Sequence, residues 1–327
     1  DERYEAVGAK IARTPEEIFK KADMIIKVKE PQPHECKMLR ENQVLFTYLH
    51  LAADKEQAQG LMDSGCVAIA YETVTGPDGR SLPLLAPMSE IAGRLSISVG
   101  SYYLQKHKGG TGRLIGGVPG VMPAEVLIIG GGVSGFHAAQ MATGMGANVT
   151  ILERSNDRLR FLDECFLGRA NIIYYSADVL ERFIQRADLV VGAVLVPGAS
   201  APRLISRPML KTMLPGAVIV DISIDQGGIA ETSKPTTHDN PTYVVDGVVH
   251  YCVANMPGAV PLTSALALNH SVLPYALRLA DHGWKKVLHE DPNFRNGLNV
   301  CKGEITHQGV AESLNMNFNP KPAALAA

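Results

Sequence analysis

Short apolar runs alternate with stretches of helical periodicity along almost the whole chain. The first signal is a helix start: Thr14-Pro15-Glu16-Glu17 combines an N-cap hydroxyl, a proline at the first helical position and a capping-box acid. A strand at Met24–Val28 follows and stops at Lys29-Glu30-Pro31. A second, Val44–Tyr48, stops at Leu49-His50. Residues Glu56–Ser64 have helical character, and Ala68–Glu72 is strand-like again. Strand and helix taken in turn predict an α/β layer with a parallel sheet. Met88–Lys106 predicts a long helix with an apolar stripe of Ile91, Leu95, Val99 and Tyr102, in which Ala92, Ser96 and Gly100 permit close packing. A glycine-rich connection, Gly109–Gly120, leads to further strands expected at 125–130, 148–153, 171–174, 189–196, 217–222 and 249–253. Ser271–Leu288, beyond Pro257 and Pro261, predicts a helix returning to the first layer. The last residues, from Pro320, read as a loose tail.

One junction in this pattern carries chemistry. The apolar run ending at Ile129 breaks into Gly130-Gly-Gly-Val-Ser-Gly135, and the next run, Ile151-Leu-Glu153, ends on an acid. In a G-x-G-x-x-G turn the first glycine, Gly130, permits the tight turn. The second, Gly132, lets backbone approach a pyrophosphate, and the third, Gly135, lets the helix pack on its strand. The helix N-terminus then faces the phosphates. Glu153 lies near the spacing expected of an acceptor for a ribose hydroxyl. The motif sits mid-chain. The expected architecture is therefore a Rossmann-type, doubly wound dinucleotide domain inserted into a discontinuous α/β domain built from both chain ends. The expected divisions are residues 1–83, 84–261 and 262–327.

Composition narrows the class. Across 327 residues, 46% hydrophobic and 20% charged content with a net charge of −2 describes a globular protein with no electrostatic appetite for nucleic acid or an anionic membrane. The longest apolar runs, such as Leu189–Val196, are far shorter than a membrane span. The start of the chain has no apolar signal-peptide core. Five scattered cysteines without a C-x-x-C pattern read as free thiols in a reducing cytoplasm. No metal is expected. His137 is expected to be exposed and His282 to make a helix-end contact, and only a chance meeting of Glu72 with His282 would hold a cation.

In open α/β sheets, ligands bind at the carboxyl ends of strands. Lys29, His50 and Asp225, the last within Ile224-Asp-Gln-Gly-Gly228, all fall at such ends. A cleft between domains would bring them together beside a nicotinamide: a cation for a carboxylate or carbonyl oxygen, an imidazole acid/base, and an acid to orient or polarise. Each also has a plainer reading. Lys27 and Lys29 share a strand face and both suit solvent, His50 suits a backbone-bonded core position, and Asp225 suits a local turn.

Dispersed segments add up to a family. Ile25-Ile-Lys-Val-Lys-Glu-Pro31, Leu45-Phe-Thr-Tyr-Leu-His-Leu-Ala-Ala53, Leu84-Leu-Ala-Pro-Met-Ser-Glu-Ile-Ala-Gly93 and Gly116-Gly-Val-Pro-Gly120 are joined by Gly192-Ala-Val-Leu-Val-Pro-Gly-Ala199, Val220-Asp-Ile-Ser-Ile-Asp-Gln-Gly-Gly228 and Tyr251-Cys-Val-Ala-Asn-Met-Pro257. The chain resembles the L-alanine dehydrogenases from about Tyr4 to the final helices. The resemblance implies reversible conversion of L-alanine, NAD and water to pyruvate, ammonium and NADH. It implies that Lys29 contacts the substrate's oxygens, that His50 is the acid/base, and that Asp225 assists proton transfer and carbinolamine breakdown. Met88 would line the pyruvate side, with Asn255 also near substrate. Ser89, Asn255 and Met256 would touch the nicotinamide half of the cofactor, and Glu153 the adenosine ribose. The expected cofactor-binding set further takes in Val133, Ser134, Arg158, Val194, Leu195, Ile222 and Asp225. Glu153 favours NAD, whereas Arg154 beside it would suit the extra phosphate of NADP. Family members are commonly homohexamers.

The family's usual opening, a strand with a Glu-Xaa-Lys…Glu-Xaa-Arg-Val segment whose arginine grips the substrate carboxylate, has no counterpart in this sequence. The expectation is NAD binding with weak or absent alanine turnover. Three rival readings remain: the nucleotide-binding part of a proton-pumping transhydrogenase, a non-catalytic NAD-binding subunit, and a saccharopine- or lysine-type dehydrogenase. The first passes hydride between two nucleotides and does not need Lys29 and His50.

Overall fold

The computed structural model describes residues 1–196, 201–320 and 325. Twelve strands occur among them: β1 (Met24–Ile26), β2 (Val44–Thr47), β3 (Val67–Ala70), β4 (Glu125–Ile129), β5 (Asn148–Glu153), β6 (Asn171–Tyr174), β7 (Leu189–Gly192), β8 (Val218–Asp221), β9 (Thr242–Val245), β10 (Val248–Tyr251), β11 (Leu298–Cys301) and β12 (Glu304–Ile305). The chain divides into two compact units, one of residues 1–85 with 269–320, the other of residues 86–196 with 201–268. Most of the tail expected from Pro320 lies outside the described residues.

In the first unit the sheet order is β1-β2-β3-β11-β12. The first three strands are parallel, and β11 and β12 add to them antiparallel. The parallel core follows from strands covered on both sides: every residue of β2 and β3 is buried. Leu45, Ala68, Leu49, Leu51, Leu61 and Val300 make one side of that core.

The second unit has the order β6-β5-β4-β7-β8-β10-β9. The first six strands in this order are parallel and β9 is antiparallel at the edge. Counted from β4, this is the doubly wound dinucleotide order with one added edge strand. Alternate residues supply two cores. Val126, Ile128, Val191 and Val220 pack on one face, Leu127, Ile129, Val190 and Ile219 on the other. Burial on both faces is why these strands are continuous apolar runs instead of alternating ones.

The helix runs Ala86–Tyr103 instead of Met88–Lys106; the expected small residues Ala92, Ser96 and Gly100 are buried, and Gly93, outside that expected set, makes the closest approach. A Cβ on Gly93 would meet the Ser134 carbonyl oxygen at 2.2 Å, and one on Gly100 would meet Leu189 at 2.6 Å. The returning helix differs from expectation. It runs Pro261–His282, because Pro261 starts a helix without needing an N–H acceptor. It ends where Gly283 takes φ +74°, and a separate helix, Trp284–Glu290, follows. Strands β9, β11 and β12 were not expected at all. Each belongs to a two-residue hairpin whose central pair, Asp246-Gly247 or Lys302-Gly303, has positive φ throughout.

Candidate nucleotide-binding and active-site residues

The sheet order of the second unit reverses between β4 and β7, so the loops leaving those strands flank the point where such sheets take ligands. The loop after β4 has the three glycine roles in physical form. Gly130 has φ +98°, and a Cβ there would meet the Ala193 carbonyl oxygen at 2.6 Å. A Cβ on Gly135 would lie 1.8 Å from the Gly130 oxygen, so only glycine lets the helix come this close to its strand. A Cβ on Gly132 would meet nothing within 4 Å. That open space borders the N-terminus of the helix Val133–Gly144, whose first N–H groups, at Val133, Ser134 and Gly135, precede any intrahelical acceptor. Backbone donors around an open volume fit a pyrophosphate.

Glu153, the last residue of β5, closes this loop. Its Oε2 accepts the Gly131 N–H at 2.8 Å, and its Oε1 accepts the N–H groups of Arg154 and Ser155 at 2.7 and 2.8 Å. Arg158, one turn into the next helix, donates from Nε to the Gly131 carbonyl and from Nη2 to that of Gly132 at 3.3 Å. Its guanidinium lies 4.3 Å from the Phe161 ring centroid. Here Arg158 therefore serves the loop backbone. The side chain of Arg154 is exposed.

The loops after β7 and β8 are tied together. Ser223 Oγ accepts the Val194 N–H at 3.1 Å and donates to the Val194 carbonyl at 2.7 Å. Leu195 is exposed and Ile222 half-buried. Asp225 is exposed and its side chain has no hydrogen bond or ion pair among the described residues, so it does not spend its carboxylate on the local turn. Asp221, four residues earlier, does that work, and sequence reasoning passed over it. Met88 and Ser89 sit half-buried in the first turn of the helix Ala86–Tyr103. Asn255 adopts the left-handed region at φ 60°, leading into a turn that buries Met256.

In the first unit, Lys29 and His50 follow the carboxyl ends of the adjacent strands β1 and β2. The two segments are stitched: Tyr48 N–H donates to the Val28 carbonyl at 3.3 Å and Thr47 Oγ1 to that of Lys29 at 3.0 Å. Strand β1 ends at Ile26, so Lys27 and Lys29 do not share a strand face. Lys27 pairs with Glu35, and Lys29 Nζ lies 3.1 Å from Glu30. His50 is left-handed at φ 49°. Glu72 holds that backbone by accepting the N–H groups of His50 at 2.6 Å and of Leu49 at 3.2 Å. The His50 ring stacks on Tyr48 with centroids 5.8 Å apart, and its nitrogens have no hydrogen-bond partner among the described residues. An imidazole with both nitrogens unspent, on a backbone held against its preference, has the properties of an acid/base group.

Two histidine expectations fail. His137 is mostly buried, 3.9 Å from Glu90, and burial lowers its pKa. His282 is exposed with no hydrogen bond or ion pair among the described residues, because the helix ends there facing solvent. Glu72 is committed to backbone N–H groups. Among the described residues no three His, Cys, Asp or Glu side chains gather to hold a metal.

Comparison with known proteins decides the family. The profile described as "Alanine dehydrogenase/PNT, N-terminal domain" matches residues 1–92, and "Alanine dehydrogenase/PNT, C-terminal domain" matches 96–308. The chain belongs to the alanine dehydrogenase/PNT family. A curated relative named alanine dehydrogenase, from Halomonas elongata, is 54% identical over 97% of this chain and 85% of its own length. A solved structure titled L-alanine dehydrogenase is 48% identical, covers 96% of this chain and 86% of its own, and superposes with a TM-score of 0.88. A transhydrogenase from Sinorhizobium meliloti superposes at 0.76 with 21% identity, covering 93% and 86%, which is a likeness of fold alone. Within the alanine dehydrogenase/PNT family, the glycine loop and Glu153 lie in the C-terminal-domain match, and Lys29, His50 and Glu72 in the N-terminal-domain match.

Proposed function

We propose that the protein catalyses NAD-dependent oxidative deamination of L-alanine to pyruvate and ammonium, and the reverse amination. The observation that carries this reading is 54% identity across nearly the whole chain to a protein named alanine dehydrogenase. The open glycine loop with Glu153 beside it supports a nicotinamide dinucleotide as partner.

The dinucleotide supplies the hydride acceptor when bound. Gly130, Gly132, Val133, Ser134 and Gly135 would hold its pyrophosphate, and Glu153 its adenosine ribose. A carboxylate at that position repels a ribose phosphate, which favours NAD over NADP. Ser89, Asn255 and Met256 are assigned to the nicotinamide half, Val194, Leu195, Ile222 and Asp225 complete the cofactor-binding set, and Arg158 braces the glycine loop. Lys29 holds the substrate's oxygens by charge, with Met88 and Asn255 lining the substrate. His50 takes a proton from the water that attacks the imino carbon and returns one to the departing ammonia. Asp225 assists proton transfer as the carbinolamine breaks down.

The protein also reads as a homo-oligomer, hexameric by family. Leu262, Leu266, Leu273 and Leu277 are exposed along one side of the helix Pro261–His282, an apolar stripe suited to a second copy of the chain. Light scattering on the purified protein tests it. A cytoplasmic location suits five free cysteines, of which burial pushes Cys66 up to about 12 and Cys252 and Cys301 up to about 11. Among the described residues no helix is long and apolar enough to cross a membrane.

The deciding assay is oxidation of NADH by pyruvate plus ammonium with no second nucleotide present. Alanine should accumulate as NADH absorbance falls. Consumption of NADH only when a second oxidised nucleotide is added would replace this reading with hydride exchange between nucleotides.

A further inference from the structure

The β8 strand ends on a carboxylate that is fully buried. Asp221 has 0% exposure and no cationic side chain within ion-pairing distance among the described residues. Oδ1 accepts the Ser223 N–H at 3.0 Å. Oδ2 accepts the Ile229 N–H at 2.8 Å and the Ser233 hydroxyl at 2.6 Å. Those donors come from the two ends of the loop 222–229 and from the segment just beyond it. The loop is built to admit the carboxylate. A Cβ on Gly228 would lie 2.7 Å from Oδ2, and one on Gly192 would lie 3.2 Å from Oδ1. Burying an ionised carboxylate is costly unless it is met by hydrogen bonds. Burial does raise its pKa, opposed by these same donors and by Arg203.

Asp225 sits midway along the loop that Asp221 closes at both ends. Ser223, fixed through its N–H by Asp221, uses its hydroxyl to clasp Val194 after β7. We propose that Asp221 is a positioning residue that orients Asp225 and locks the β7 and β8 loops in the arrangement that receives the nicotinamide end of the dinucleotide. The inference rests on the reading of Asp225 as an active-site carboxylate.

Asp221→Asn tests it, since an amide keeps the volume but cannot accept all three donors. In the folded variant, kcat for alanine should fall about 10- to 100-fold, the scale of a misplaced reacting group. The KM for alanine should hold within about twofold, as expected when only transition-state interactions are lost. NADH, followed by its own fluorescence, should bind about tenfold more weakly, because the loops that receive it lose one charge-assisted bond that holds them in place. The discriminating measurement is the double-mutant cycle with Asp225→Asn. If Asp221 acts through Asp225, the double variant is no slower than Asp225→Asn alone. Fully additive losses, or a folded Asp221→Asn enzyme with unchanged kcat and NADH affinity, would overturn the proposal. An Asp225→Asn enzyme of normal activity beside an impaired Asp221→Asn would instead remove the catalytic reading of Asp225. Should Asp221→Asn not fold, Ser233→Ala removes one donor and keeps the acid. The same cycle then applies, with a smaller fall in kcat and the same non-additivity required.

Discussion

Gly131 gives its backbone N–H to Glu153 at 2.8 Å, so the acid that ends β5 is already part of the glycine loop. One carboxylate therefore couples the loop after β4 to the end of β5, beside the reversal of sheet order between β4 and β7. Its removal should act on nucleotide affinity and on nucleotide choice.

Glu153→Ala should weaken NADH binding about 10- to 100-fold, the worth of one hydrogen bond to a charged group. The loss for NADPH should be smaller, because the variant also removes a charge that repels the ribose phosphate. Fluorescence titration of both nucleotides measures the ratio. Equal losses for the two would leave Glu153 as a brace for the loop with no part in choosing the cofactor.

His50 occupies left-handed backbone, which asparagine tolerates better than most residues. His50→Asn should therefore keep the fold while removing the imidazole. The expected fall in kcat is about 100- to 10,000-fold, with NADH affinity within about twofold. His50→Val adds a β-branched residue at positive φ and should also lower stability by about 1–2 kcal/mol. A His50→Asn enzyme with near-normal turnover would shift the acid/base role elsewhere.

Much of this was legible in the sequence, and each part that was not has its own physical reason. Covered parallel strands appear as apolar runs, so β2, β3, β4, β5, β7 and β8 could be read from theirs. Strand β9 is a short edge strand, only partly buried, that pairs antiparallel within a hairpin and so falls outside the strand–helix alternation by which the parallel strands were read. Its signal was Asp246-Gly247, which demands a hairpin turn by backbone chemistry alone. Strand β11 is fully buried, but Asn299 interrupts its apolar run and β12 is only two residues long; their turn, Lys302-Gly303, has lysine in place of the more usual Asn or Asp. The glycine roles at 130, 132 and 135 were legible because each is a steric demand of one position. Asp221 was not. A charged residue closing an apolar run looks like a strand reaching solvent, and only the fold reveals three donors converging on it. Glu72 escaped for the same reason, since its task is defined by the backbone of residues 49 and 50.

Burial lowers the pKa of His137, His250 and His307. His250 is fully buried, joined to Thr232 at 2.8 Å and to the Val248 carbonyl at 3.0 Å. A histidine with a folded-state pKa below its unfolded value binds fewer protons when folded. Stability therefore rises with pH up to about the unfolded value near 6.5, and falls as pH drops below it. Each such histidine contributes up to about 1.4 kcal/mol per pH unit within its window. Urea unfolding at pH 7.5 and at 5.5 should show the protein less stable at the lower pH, with a shallower dependence in His307→Gln. A pH-independent midpoint over this range would contradict it.

Gly132 and Gly135 lie three residues apart, and alanine should fail at each for opposite reasons. At Gly135 the new Cβ would lie 1.8 Å from the Gly130 oxygen, inside the fold. Strand and helix would have to separate, which costs about 1–3 kcal/mol and lowers the melting temperature with or without nucleotide. At Gly132 the new Cβ meets nothing within 4 Å and φ is already −64°, so the unliganded protein should keep its stability within about 0.5 kcal/mol. The methyl group instead enters the volume reserved for the pyrophosphate. Gly132→Ala should then lose at least about tenfold in NADH affinity and most of the thermal stabilisation that NADH confers, since that stabilisation follows the ratio of nucleotide concentration to Kd. Calorimetric melting of both variants, with and without NADH, separates the two effects. A Gly132→Ala protein stabilised by NADH as strongly as the parent would mean that the open space beside the helix N-terminus is not where the phosphates lie.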